Sequence, residues 1–133
     1  MTYVLSHARG QGLGFCNMND AQIADFVTQV KIVVNKYNLD GINLWDRNSG
    51  YGKEGMAAVN TTSYPKLIVA LRAALGNERL LTVTDHEAPT ESFWDTAATG
   101  GIEVGQYIDY AWSGYNDENE PQQIIDPYHQ GAE

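Results

Sequence analysis

In the segment Tyr37-Asn38-Leu39-Asp40-Gly41-Ile42-Asn43-Leu44-Trp45-Asp46-Arg47, an amide, an indole and a guanidinium stand at alternate positions: Asn43, Trp45 and Arg47. The segment opens through a tight Asp-Gly corner and leaves through a polar, Gly-punctuated loop, so it reads as a buried strand. Period-two alternation sends Gly41, Asn43, Trp45 and Arg47 to one face and Asp40, Ile42, Leu44 and Asp46 to the other. The first set can stack and hydrogen-bond, but it holds no acid. It ends where the strand ends, and ligands of α/β folds bind at that end. Asp46 faces the opposite way, toward the expected helix layer, and its plain reading is a loop or helix-capping carboxylate. Asp85, His86 and Glu87 stand at the end of a second strand. Asp46 and Glu87 are the two carboxylates considered as displaced acids, with solvated loop residues as the alternative for the second group. His7 is read either as a rim contact or as an ordinary loop residue.

The elements that would position these groups follow from apolar spacing. Residues 2–6 form a short apolar strand, followed by a loop with Gly10, Gly12 and Gly14 at alternate positions. No Lys-Ser/Thr follows those glycines, so their spacing fits neither common phosphate-binding motif. Asn19 with Gln22 three residues on is a capping-box pattern, and Ile23, Phe26, Val27, Val30, Val33, Val34 and Tyr37 recur at helical spacing, predicting a helix over 20–37. Residues 48–61 read as loop. Ser63 or Tyr64 is expected to cap a second helix carrying Pro65 in its first turn and Leu67, Ile68, Leu71 and Leu75 on its inner face, with Gly76-Asn77 ending it. Leu80–Thr84 reads as a strand. Thr90 is expected to start a short helix through Phe93, Trp94 and Ala98, closed by Gly100-Gly101, with Trp94 packed in the core. Tyr107–Trp112 reads as a further strand ending at Ser113-Gly114-Tyr115-Asn116. The tail is acidic (Asp117, Glu118, Glu120), then amphipathic around Ile124 and Ile125. Strands alternating with helices predict an α/β fold of parallel β-α units.

The bulk numbers bound the function. The chain has 133 residues, 43% of them hydrophobic, which fits one globular domain over 1–133 or a piece of one. A net charge of −9 disfavours nucleic acid and anionic membrane surfaces as partners. The aromatic share is 11%, with eight Tyr, and sugar sites use such rings as stacking platforms; ordinary α/β cores use them too. Cys16 is the one cysteine, which excludes an intrachain disulfide and reads as a small buried hydrophobe. The three His and one Cys are scattered without short spacing, so no metal and no cofactor are expected. There is no apolar run of membrane-spanning length, and Met1 leads straight into a strand.

The Asp40-Gly41 strand resembles the catalytic strand of glycoside hydrolase family 18, the chitinases and endo-β-N-acetylglucosaminidases, with the pattern Asp-x-x-Asp-x-Asp-x-Glu. The opening matches at Asp40 and Gly41. Asn43, Trp45 and Arg47 stand where the three later acids would be. Tyr3-Val4-Leu5-Ser6 with the Gly-rich segment through Phe15 is similar to the third barrel strand of the bacterial endo-β-N-acetylglucosaminidase branch. Leu81-Thr82-Val83-Thr84 stands at the place of strand five. Ile108-Asp109-Tyr110-Ala111-Trp112 with Tyr115-Asn116 resembles strand six. The resemblance implies strands three to six of a (β/α)₈ TIM barrel, whose complete form needs about 200–250 residues. A half-barrel exposes two strand edges, which predicts either part of a larger protein or pairing with a second copy; an independent open sheet is the structural alternative. The branch is typical of gut Bacteroidetes acting outside the cytoplasm, which implies a periplasmic, cell-surface or secreted parent.

The same resemblance implies substrate-assisted hydrolysis, in which a Glu protonates the glycosidic oxygen and an Asp two positions earlier orients the substrate acetamide. Arg47 keeps its proton near neutrality and cannot serve as that acid. Trp45 can stack on a sugar but cannot balance a cation as a carboxylate does. The expectation is therefore a module impaired in hydrolysis that binds N-acetylglucosamine-containing glycans through Asn43, Trp45, Arg47, Trp112, Tyr115, Asn116 and His7. For Trp45 and Trp112 the competing reading is core packing. An active glycosidase using a displaced acid, and a structural fragment without ligand, are the alternatives.

Overall fold

The computed structural model describes residues 2–5, 14–46, 51–53, 56–85 and 89–113. Its elements run β1 (Thr2–Leu5), α1 (Asp20–Tyr37), β2 (Gly41–Leu44), α2 (Ser63–Leu75), β3 (Leu80–Asp85), a single 3-10 turn (Val104–Gln106) and β4 (Tyr110–Ser113). The four strands form one sheet in the order β1-β2-β3-β4, every pair parallel. This is an α/β fold of consecutive parallel β-α units, a partial (β/α)₈ barrel, with β1 and β4 at its two edges.

Local chemistry explains the boundaries of α1. The Asn19 side chain accepts from the Gln22 backbone N–H at 2.8 Å, and the Gln22 side chain accepts from the Asn19 N–H at 2.8 Å. Two N–H groups left over at the helix start are thereby satisfied. Asn38 ends the helix in the left-handed conformation, φ 48°. α2 starts differently from the sequence expectation. Neither Ser63 nor Tyr64 caps it: Thr62 holds the cap position without a side-chain cap bond. The Ser63 hydroxyl instead donates to the Phe15 carbonyl at 2.7 Å and accepts from the Met18 N–H at 3.0 Å, tying α2 to the segment that leads into α1.

The helices cover one face of the sheet. Ile42, Leu44, Leu81 and Val83 point into that layer and are fully buried with Val30, Val34, Leu67, Ile68 and Leu71. Each such side chain contributes about 2 kcal/mol relative to exposure. Strand β2 approaches β3 closely at Gly41, where a Cβ would lie 2.2 Å from the Leu80 carbonyl oxygen, so no other residue fits without moving backbone. At the N-terminal ends of the strands, Arg72 of α2 ties the layers together. Its guanidinium donates to the carbonyls of Tyr107, Gly76 and Arg79 and to Asp109 Oδ2, the last at 2.8 Å. Asp109 Oδ2 also accepts the Leu81 N–H at 2.8 Å.

Residues 89–101 form a run of turns where a short helix is expected from sequence. Asp95 explains the difference by starting a new turn: its Oδ1 accepts from the N–H groups of Ala97 and Ala98 and its carbonyl accepts the Thr99 N–H, the bonds of an N-cap, so the chain restarts at Asp95 and does not continue helically from Thr90. Trp94 is 55% exposed, so it is not the core residue that a helix there would make it.

Candidate functional site

Residues in register across parallel strands share a face. Asn43 pairs with Thr82, Thr82 with Tyr110, and Thr84 with Trp112. The five therefore stand on the sheet face opposite the helices. The Thr82 hydroxyl donates to Asn43 Oδ1 at 2.7 Å, and Asn43 Nδ2 donates to Thr84 Oγ1 at 3.0 Å. These three side chains are buried, and none is charged. Tyr110 and Trp112 form the wall beside them, their rings edge to face with centroids 5.3 Å apart. Trp112 is 53% exposed on this face of the segment. Trp45 is half-buried and follows β2 directly; continued alternation sets it on the Asn43 side.

The two described acids at the upper ends of the strands stand apart from that wall. Asp46 is 2% exposed, and its Oδ2 accepts from the Tyr51 hydroxyl. The same hydroxyl accepts the Cys16 N–H at 3.0 Å, and Cys16 belongs to the cluster that includes Ile42 and Leu44. Asp46 thus lies in the helix layer, away from Asn43. Asp85 follows Leu81 and Val83 in alternation and accepts from the Thr90 hydroxyl. Both carboxylates hold loops through hydroxyl donors. Gly14 makes room for this arrangement: a Cβ there would lie 2.1 Å from the Tyr51 hydroxyl oxygen. Burial pushes the Tyr51 phenol well above its ordinary range, helped by Cys16 and by the bond to Asp46, so it stays protonated as a donor. Burial, then the Asp46 charge, likewise raises the Cys16 thiol, which makes it a poor nucleophile.

Of the residues expected at the site, Asn43, Trp45 and Trp112 are brought to one side of the sheet and Asp46 to the other. His7, Arg47, Glu87, Tyr115 and Asn116 lie outside the described residues. The sequence reading missed Thr82, Thr84 and Tyr110 as site residues. The signal for the two threonines was available, because Leu80-Leu81-Thr82-Val83-Thr84 alternates polar with apolar at its end. Among the described residues, no group of His, Cys, Asp and Glu is placed to hold a metal ion, and no helix is long and apolar enough to cross a membrane.

Comparison with known proteins places this geometry. The chain is 36% identical over 106 residues to an endo-β-N-acetylglucosaminidase from Flavobacterium sp. (strain SK1022), covering 79% of this chain and 32% of the relative. It is 30% identical over 105 residues to endo-β-N-acetylglucosaminidase F1 of Elizabethkingia meningoseptica, covering 77% of this chain and 30% of that one. The chain is a glycoside-hydrolase-family-18-like segment. It spans about a third of the length of these curated relatives. The fold agrees with the chitinase domain of the spore coat protein CotE from Clostridium difficile, at a TM-score of 0.58 and 21% identity, over 81% of this chain and 32% of that one. No protein-family model matches the family-18-like segment.

Proposed function

We propose that this family-18-like module binds N-acetylglucosamine-containing glycans at the upper ends of its strands and does not hydrolyse them. The carrying observation is Asn43. Where the family pattern has an acid, this chain has a neutral amide, fixed between two threonine hydroxyls at 2.7 and 3.0 Å. Hydrolysis needs a proton donor whose pKa lies near the working pH, and its loss commonly lowers rate by about 10²–10⁴-fold. Among the described residues, the side chains of β2, β3 and β4 on the Asn43 face carry no carboxylate: Gly41, Asn43, Leu80, Thr82, Thr84, Tyr110 and Trp112. The nearby acids Asp46 and Asp85 are engaged by Tyr51 and Thr90. Arg47, at the position of the family's Glu, would add positive charge where positive charge develops. Rings beside uncharged hydrogen-bonding groups suit a neutral sugar, which presents an apolar face and polar edges.

Titration with chitooligosaccharides or high-mannose N-glycans tests the reading. Calorimetric heat and a change in tryptophan fluorescence at millimolar ligand or below are expected. A fluorogenic N-acetylglucosaminide should stay intact. Silence in both binding signals at millimolar ligand would remove the proposal, and turnover above background would restore a hydrolase.

A further inference from the structure

One Asn-x-Ser/Thr triplet occurs in the chain, Asn60-Thr61-Thr62. Its spacing is that of an N-glycosylation acceptor, in which a hydroxyl two residues on serves the asparagine amide. The triplet lies in the connection from β2 to α2, at the same end of the sheet as the Asn43 face but outside the strands. Three residues match such a pattern often by chance, so the local geometry decides.

The two threonines are used differently. Thr61 Oγ1 donates to the Ala98 carbonyl at 2.5 Å, which turns that side chain toward residues 89–101. Thr62 donates twice to Asn60 Oδ1, from its backbone N–H at 3.0 Å and from its hydroxyl at 2.8 Å. This is an Asx turn closed by a hydroxyl. Thr62 holds the cap position of α2 and makes no side-chain cap bond, so its hydroxyl is committed to Asn60. The Asn60 backbone is fixed separately. Its N–H donates to the Cys16 carbonyl at 2.7 Å, and its carbonyl accepts the Ser63 N–H at 3.1 Å. Asn60 is exposed, and its Nδ2 has no hydrogen-bond partner among the described residues.

Two donors on Oδ1 stabilise negative charge there and so favour loss of a proton from Nδ2. From this geometry we propose that Asn60 is an N-glycosylation acceptor in the folded chain. The co-substrate is an oligosaccharide carried on a lipid diphosphate and presented by a transferase. Nδ2 forms a bond to the first sugar carbon, and the bond from that carbon to the diphosphate oxygen breaks. The electron pair leaves on the phosphate, and one Nδ2 proton passes to a base of the transferase. This goes beyond the glycan-binding reading and does not depend on it: there the sugar is a ligand, here it is a covalent group.

Incubation of the folded full chain with a purified oligosaccharide transferase and its lipid-diphosphate donor, beside the isolated peptide 54–66, tests the assignment. Cleavage after Lys53 and Lys66 then isolates Asn60 in one peptide for mass spectrometry. The folded chain should gain the oligosaccharide mass in that peptide. An amidase that frees N-linked glycans should remove it and convert the asparagine to an aspartate. Asn60→Gln and Thr62→Val should abolish the gain, Thr62→Ser should keep it, and Thr61→Val should leave it unchanged, with circular dichroism reporting that each variant is folded. Modification of the peptide but not of the folded chain overturns the proposal, because the fold then hides the amide. An unmodified peptide overturns it too, as does a gain that Thr62→Val leaves intact. Asn60→Gln should bind glycan as the wild type does, so failure here leaves the reading of the Asn43 face standing.

Discussion

The two ends of the sheet are held by different chemistry. At the N-terminal ends of the strands the stitches are charged. Arg72 and Asp109 meet there at 2.8 Å, and Arg79 reaches back to the Leu39 carbonyl and to Asn38 Oδ1. At the C-terminal ends the connections described here are hydroxyl to carboxylate, hydroxyl to amide and ring to ring. Charge is used for cohesion at one end, where no ligand is expected. At the other end the described carboxylates Asp46 and Asp85 are held by hydroxyls on the helix side, and the Asn43 face, where a sugar would compete with water for hydrogen bonds, is neutral. The two ends should therefore respond independently to mutation.

The sharpest way to break this division is Arg72→Ala. It strands the carbonyls of Tyr107, Gly76 and Arg79 and the Asp109 carboxylate, and should cost about 3 kcal/mol in urea unfolding. Glycan affinity of the folded fraction should not change; a loss there would mean the two ends are coupled. Next, Tyr51→Phe removes the phenol shared by Asp46 and the Cys16 N–H, and should cost about 2 kcal/mol. A cost near zero would show that Tyr51 carries no such connection. Asn43→Asp sharpens the chemical side of the comparison. Placing a carboxylate between Thr82 and Thr84 should cost about 1 kcal/mol, because both hydroxyls can reorient to donate to it. Release of a fluorogenic N-acetylglucosaminide should remain at background, since one acid does not replace a proton donor.

The smallest effect concerns Asp109. Partial burial pushes its carboxyl up, but the bonds from Arg72 and from the Leu81 N–H outweigh this and hold it below the ordinary range. A carboxyl depressed in the folded state contributes stability that is complete above the unfolded value of about 3.9. That stability is lost as pH falls through the folded value. Asp109→Asn should cost about 0.5 kcal/mol at neutral pH, the scale of a solvent-accessible pair. The gap between wild type and variant should narrow as pH is lowered below about 4 in a pH series of urea melts. A gap that widens on acidification would reverse the assignment.

Much of the scaffold was legible because its signals are local. The Asn19–Gln22 capping box, the apolar spacing of α1 and α2, and the alternation along β2 lie within a few residues of the groups they govern. Alternation alone set Asn43 and Asp46 on opposite faces. The Thr82–Asn43–Thr84 bonds were not legible in that way, because Asn43 finds its partners 39 and 41 residues further on, and pairing depends on register. The Tyr51–Asp46–Cys16 connection was hidden for the same reason, with Tyr51 and Cys16 35 residues apart. The error at 89–101 came from counting Phe93, Trp94 and Ala98 as a helical face while overlooking Asp95, whose side chain closes a turn on Ala97 and Ala98. Exposed Trp94 follows from that turn.

Gly41 shows how part of a family pattern can be fixed by packing alone. The seam between β2 and β3 tolerates only a hydrogen atom at this point, a requirement indifferent to whether any bond is ever cleaved nearby. The acids that would have completed the signature answer to reactivity instead. The Asp-Gly opening thus answers to the spacing of two backbones, while Asn43, Trp45 and Arg47 occupy positions that this spacing does not dictate.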